Sequence, residues 1–279
     1  MTMTTLRVVL VAQMLVIVAL LTLSMDVYAH KRVEHVGGVN IWGYRGSTAR
    51  VKQPNEIRLG MIGGTLAFSW GVAASETTIA TVRQLVALAT DRRGQTARPV
   101  TAINLGALGW APSSYRQRLE RFAALDFDVI CIYPDPAGTP SRTMLPSEPL
   151  AAGYTPILPL VLREKAGWWA GVPSGSPLAI DTDDLAQVEA TVRAALTLAR
   201  GVVVVLPAPG SAQSVSGWEP LAERFADEPR VRVVDLSRDP RLQDAAVRLD
   251  EISYGAGGNA AAAEQIAPAV VELLQQTTP

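Results

Sequence analysis

The sequence is short of the side chains that most often carry chemistry. Its 279 residues include one cysteine, Cys131, and two histidines, His30 and His35. A single cysteine excludes an internal disulfide and a cysteine-rich zinc site. Both histidines lie near the N-terminus. A mechanism that needs an imidazole base in the body of the chain is therefore excluded, unless one of these two folds back to serve it. Asparagine is also scarce, at Asn40, Asn55, Asn104 and Asn259. Charge of neither sign dominates: the formal net charge is -1, so there is no global field for nucleic acid. No G-x-G-x-x-G run, no P-loop lysine and no internal repeat is present, and the pattern points to no metal and no cofactor. What is there is apolar. Hydrophobic residues make up 48% and charged residues 18%, which excludes a disordered chain and suits one large domain or at most two small ones.

The 8–25 run is apolar, interrupted only by Gln13, Thr22 and Ser24. It exceeds the usual core of a signal peptide and matches the length of a membrane span, so it reads as an uncleaved single-span anchor. The Val27-Tyr28-Ala29 stretch also passes as a cleavage site. Lys31 and Arg32 follow the span while only Arg7 precedes it, a count that leans towards a cytoplasmic body. The 31–58 stretch holds six basic and two acidic residues. It reads as a strap whose arginines hydrogen-bond to the domain; the other reading is a basic segment resting on anionic headgroups. The expected layout is an anchor at 1–29, a strap at 30–56 and a domain at 57–279.

The body alternates strand and helix patterns. Short apolar runs near 57–62, 99–105, 127–133, 202–206 and 231–236 read as strands, and the third would bury Cys131. The run Val202-Val203-Val204-Val205-Leu206 is too uniformly apolar to be half exposed and reads as the interior of a parallel sheet. Helical stripes follow: Ile79, Val82, Leu85 and Val86; Tyr115, Leu119 and Phe122; Leu185, Val188, Val192 and Leu196; then 220–225, and 260–276 with Pro268 as a kink. Five strands alternating with helices make an α/β fold, an open parallel sheet covered on both faces. Ligands of such sheets bind at the carboxyl ends of the strands, where strand order reverses. The 134–180 connection is too long for a simple crossover. With its apolar run at 154–162 and Trp168-Trp169, it reads as a subdomain packed on the sheet edge, or as a lid or bilayer-touching patch.

Gly63-Gly64-Thr65 directly follows the first strand. It reads as a tight turn, as a phosphate cradle lacking its lysine, or as a turn presenting the Thr65 hydroxyl at a helix start. The run IRLGMIGGTLAFSWGV at 57–72 resembles the first block of the SGNH (GDSL-like) hydrolases. The upstream GGVNIWGYRG at 37–46 resembles the segment before that block in membrane-anchored bacterial members. The resemblance implies a flavodoxin-like three-layer fold behind one transmembrane helix, and serine esterase or acyl hydrolase chemistry. It puts the nucleophilic serine at Thr65, the preceding aspartate at Gly64 and an oxyanion-hole glycine at Gly109. The second oxyanion donor, an asparagine, has no counterpart in Tyr133-Pro134-Asp135. The D-x-x-H block falls on Asp250 and Ser253, so its histidine is absent.

These substitutions decide the expectation. A hydroxyl is a poor nucleophile without a base in reach. Serine cannot replace imidazole in that role, and the threonine methyl crowds attack. Loss of the histidine costs about 10⁶ in turnover in the subtilisin example. Asp135, taken as exposed at a strand end, is too acidic to serve. The expected protein is thus an inactive relative that binds rather than hydrolyses. The resemblance implies an acylated or glycan ligand, cell-envelope or exopolysaccharide work, and a body outside the cytoplasm. Two other readings stay open: a weak ester hydrolase using Thr65, and a structural subunit that meets an envelope-complex partner through 134–180.

Overall fold

The computed structural model describes residues 3–34, 39–91, 98–108, 110–135, 158, 182–208, 217–250 and 252–276. The first helix, α1 (Met3–Glu34), holds a 26-residue stretch, Thr4–Ala29, long and apolar enough to cross a membrane. Its apolar side chains from Leu6 to Met25 are not covered by the body.

Five strands form one parallel sheet: β1 (Ile57–Gly63), β2 (Val100–Asn104), β3 (Val129–Tyr133), β4 (Gly201–Leu206) and β5 (Val231–Asp235). Their order is β2-β1-β3-β4-β5. This is the flavodoxin-like arrangement, whose order reverses between β1 and β3. The central strands β1, β3 and β4 are buried along their whole length, whereas β2 and β5 are partly covered. The uniform valine run therefore sits in the sheet interior, as its composition requires.

Alternate side chains feed two cores. On one face, Leu59, Met61, Cys131, Tyr133, Val203 and Val205 meet the helices α3 (Thr78–Asp91) and α8 (Ala256–Gln276). On the other, Ile62, Ile103, Ile130, Ile132, Val202 and Val204 meet α4 (Tyr115–Arg121), α5 (Thr182–Leu198) and α6 (Pro220–Arg224). Two short helices complete the set: α2 (Thr65–Phe68) after β1 and α7 (Pro240–Gln243) after β5. The expected stripes are the buried ones. Ile79, Val82 and Val86 of α3 are fully covered, each contributing about 1.5–3 kcal/mol of burial. Cys131 is buried, and burial pushes its thiol up to about 12.

The last helix departs from expectation at its start. It begins at Ala256 rather than near 260 and runs through Pro268 without a break in assignment. Glycines normally argue against a helix interior. Here Gly258 is required by close approach, since a Cβ would lie 2.8 Å from the Tyr254 side chain. Asn259 earns its place by accepting a hydrogen bond from Thr78 Oγ1 at 3.0 Å.

The 30–56 stretch is described up to Glu34 and again from Val39 onward. Its basic residues do bond to the domain: Lys52 pairs with Asp128 at 2.9 Å and donates to the Asp126 carbonyl. Arg45, however, is buried rather than solvated, at 2% exposure. Of the 134–180 connection, Pro134, Asp135 and Leu158 are described, and its expected subdomain or lid lies outside the described residues. Leu158 donates its backbone N–H to the carboxylate of Asp26.

Candidate functional site

Thr65 opens α2 directly beyond the carboxyl end of β1, and Asp135 follows the carboxyl end of β3. These strands are neighbours in register, Gly63 beside Tyr133. The two residues therefore meet at the point where strand order reverses. The turn presents Thr65 at a helix start, the last of the three readings of the glycine pair.

Asp135 closes this turn. One carboxylate oxygen accepts the Thr65 N–H and the other the Leu66 N–H, each at 2.7 Å. The Thr65 side chain is hydrogen-bonded to the same carboxylate. Backbone and side-chain donors of the turn thus converge on one internal anion. Gly64 makes room for it: a Cβ there would lie 2.2 Å from Asp135 Oδ2. An aspartate at position 64 and a carboxylate at 135 cannot share this space. Glycine at 64 and the placement of the Asp135 carboxylate are a single steric fact.

The expectation that Asp135 is exposed and strongly acidic is corrected. The side chain is buried, at 9% exposure, beneath the rim of the sheet. Burial raises its carboxyl to about 6, against the hydrogen bonds from Leu66 and Thr65 that favour the charged form, and the charge of Asp250 adds to the rise. Two further side chains hold this corner. Trp218 Nε1 donates to the Asp135 carbonyl at 2.9 Å. The Tyr115 hydroxyl is hydrogen-bonded to the backbone of Asp135 and Gly64, and burial with the nearby Asp135 charge raises it well above the usual phenol range. Neither contact is visible in the sequence, where Tyr115 reads as part of a helix stripe.

The other expected site residues fall as follows. Asp250 accepts the N–H groups of Ile252 at 2.8 Å and Ser253 at 2.6 Å, so it shapes a local turn. Ser253, at the family's histidine position, is buried at 1% exposure, and among the described residues its Oγ has no hydrogen-bond partner. Pro134 is buried and brings no side-chain donor. Gly109 lies outside the described residues, as does His35, while His30 lies in α1. Among the described residues no group of His, Cys, Asp and Glu side chains is arranged to hold a metal ion.

The far end of α2 is held from the strap. Arg45 donates to the carbonyls of Phe68, Ser69 and Val72, and its guanidinium stacks on the Phe68 ring at 4.8 Å. Asn104, at the end of β2, donates to the Ala67 carbonyl at 2.9 Å and accepts the Gly106 N–H at 2.9 Å. The strap itself bonds to β2 through Arg45 N–H and the Asn104 carbonyl, at 3.0 Å.

No protein-family model matches the chain, and no curated protein matches it. Solved structures do. The chain is similar to a lipolytic protein of the G-D-S-L family from Desulfitobacterium hafniense, at 13% identity and TM-score 0.45, over 76% of this chain and 98% of the other. It is similar to a carbohydrate esterase of family 3 from Talaromyces cellulolyticus, at 11% identity and TM-score 0.48, over 80% and 100%. It is also similar to the acetylxylan esterase Axe2 from Geobacillus stearothermophilus, at 13% identity and TM-score 0.47, over 81% and 96%. The likeness is one of fold, and nothing about ligand or activity passes to this chain through it. The chain's own sheet order and two covered faces are those of a flavodoxin-like three-layer α/β fold.

Proposed function

We propose that this chain is a membrane-tethered, SGNH-like binding protein without hydrolase chemistry, working as an accessory of the cell envelope on an acylated or glycan ligand. The observation that carries the reading is the closure of the Thr65 turn by Asp135. Acyl transfer needs backbone and side-chain donors aimed at a developing oxyanion. Here the Thr65 N–H and Leu66 N–H already serve an internal carboxylate. The absence of histidine from the body and the burial of Ser253 support the same reading. Purified full-length protein is expected to turn over p-nitrophenyl acetate no faster than its Thr65→Ala variant. Turnover that disappears in Thr65→Ala overturns the reading.

One observation favours a second reading, a weak ester hydrolase with Thr65 as nucleophile and Asp135 as base. The Thr65 side chain is bonded to a carboxylate whose burial holds it at about 6, much nearer to neutral pH than an exposed aspartate. On that reading, any Thr65-dependent turnover is abolished by Asp135→Asn and rises with pH through about 6.

A further inference from the structure

We propose that the carboxyl edge of the sheet, where Thr65 and Asp135 meet, faces the bilayer that holds α1, with Trp70 and Leu249 seated in its headgroup layer. The inference rests on reading α1 as a membrane anchor and extends it from tethering to orientation.

Three observations carry it. The first is reach. α1 ends at Glu34, five residues past the apolar stretch that ends at Ala29. Those helical residues add about 8 Å. From Glu34 the chain has five steps to Val39, at most about 18 Å if fully extended. Val39 then pairs with Arg45, and Arg45 pairs with Asn104, the last residue of β2. The membrane exit thus lies within about 26 Å of Val39, counted along a fully stretched chain, and two strand spacings, about 10 Å, separate Val39 from the end of β2. The strap reaches the amino edge only later, where Arg58 donates to the Arg50 carbonyl and Lys52 pairs with Asp128. Six steps of β1 separate the two edges by about 20 Å.

The second observation is a tie from the other side. The connection that leaves the carboxyl edge at Asp135 returns to α1, where the Leu158 N–H meets Asp26 in the last turns of the apolar stretch. Asp26 is itself buried, at 3% exposure. Both segments that flank the site are therefore joined to the membrane end of the anchor.

The third is what this edge exposes. Among the described residues outside α1, large apolar side chains lie open at Trp42, Val51, Trp70, Leu88 and Leu249. Three of the five belong to the carboxyl edge. Trp70 follows α2 and stacks on Phe68, with ring centroids 6.4 Å apart. Leu249 packs towards Gly71, whose built Cβ would lie 2.6 Å from Leu249 Cδ1. Trp42 belongs to the strap turn that Arg118 anchors through the Gly43 carbonyl. Tryptophan favours the headgroup level of a bilayer. On this arrangement the site receives an amphiphile from the membrane plane, not a polymer from bulk solvent.

The test uses the full chain in vesicles of phosphatidylcholine and phosphatidylglycerol. Cys131 is buried and its thiol is raised, so it stays unlabelled while a surface cysteine reacts. Trp70→Cys, Leu249→Cys and Val51→Cys are each labelled with bimane and mixed with lipid carrying a headgroup nitroxide quencher. The inference predicts that bimane at 70 and 249 loses most of its emission while bimane at 51 keeps it. Quenching at 51 equal to that at 70 and 249, or unquenched 70 and 249 in protein that floats with the vesicles, overturns the orientation alone. Protein that fails to float overturns the anchor reading and the orientation with it. Retained emission at 70 that falls on adding soluble xylan or another glycan assigns the edge to a polymer and overturns the inference.

Discussion

At the scale of the residue, the account turns on Asp135 and the glycine that admits it. Gly64→Ala sets a methyl carbon 2.2 Å from Asp135 Oδ2, so one of the two must move. The cost expected for such overpacking is about 1–3 kcal/mol, read as a lower midpoint in thermal unfolding. An unchanged midpoint would mean that the carboxylate does not occupy this space. The carboxylate also writes a signature in pH. Its folded value, about 6, lies above its unfolded one. The folded protein therefore keeps this proton where the unfolded chain has lost it. Stability from this group is greatest at low pH, falls as pH rises from about 4 to about 6, and is level above; the whole change is about 3 kcal/mol. Asp135→Asn removes that slope. Denaturant titrations of both proteins across this window should show the wild type losing ground to the variant as pH rises. A constant difference contradicts a buried, proton-holding carboxylate.

At the scale of the element, α2 is the helix that depends most on its neighbours. It is four residues long, and Ser69 ends it in the left-handed region at φ 58. A helix this short has no cooperative stability of its own. Its last carbonyls need donors from outside, and Arg45 and Asn104 supply them. Arg45→Met strips three buried carbonyls of a charged donor and is expected to cost about 3 kcal/mol or more. Amide exchange across 65–72 should accelerate with it, and Arg45→Lys should recover only part of the protection, because an ammonium cannot reproduce the guanidinium fork. Exchange that is unchanged in Arg45→Met would remove the strap from the site.

The same element shows what the sequence can and cannot express. The five strands and the long helices were legible because burial leaves a periodic mark: Val202 to Leu206 reads as interior, and Ile79, Val82 and Val86 read as a stripe. The turn after β1 was legible as a place, from its glycines and from the SGNH resemblance. Its chemistry was not. Whether Asp135 is exposed or buried depends on Trp218 and Tyr115, which lie 83 and 20 residues away in sequence and leave no local signal. Arg45 reads as one more charge in a basic strap, although its guanidinium lies 2% exposed against carbonyls 23 to 27 positions later. Pairings of that range are made by the fold, and periodicity does not record them.

At the scale of the whole molecule, the sheet order sets the site and the chain path sets its surroundings. Reversal between β1 and β3 brings Thr65 and Asp135 together at the carboxyl edge, and the strap and the 134–180 connection tie that edge to α1. The resemblance of the first block implies groups that activate an alcohol, but position 253 holds serine and the Asp135 carboxylate is folded onto the turn. On the proposed reading, such a body holds a ligand at a membrane surface. Reaction with a fluorophosphonate, followed by intact mass and peptide mapping, addresses this most directly, because the reagent reports an activated hydroxyl whatever the natural substrate. The account predicts that the full-length protein keeps its unmodified mass, alike in wild type and Thr65→Ala. A single-equivalent adduct that maps to Thr65 and is lost in Thr65→Ala would contradict it.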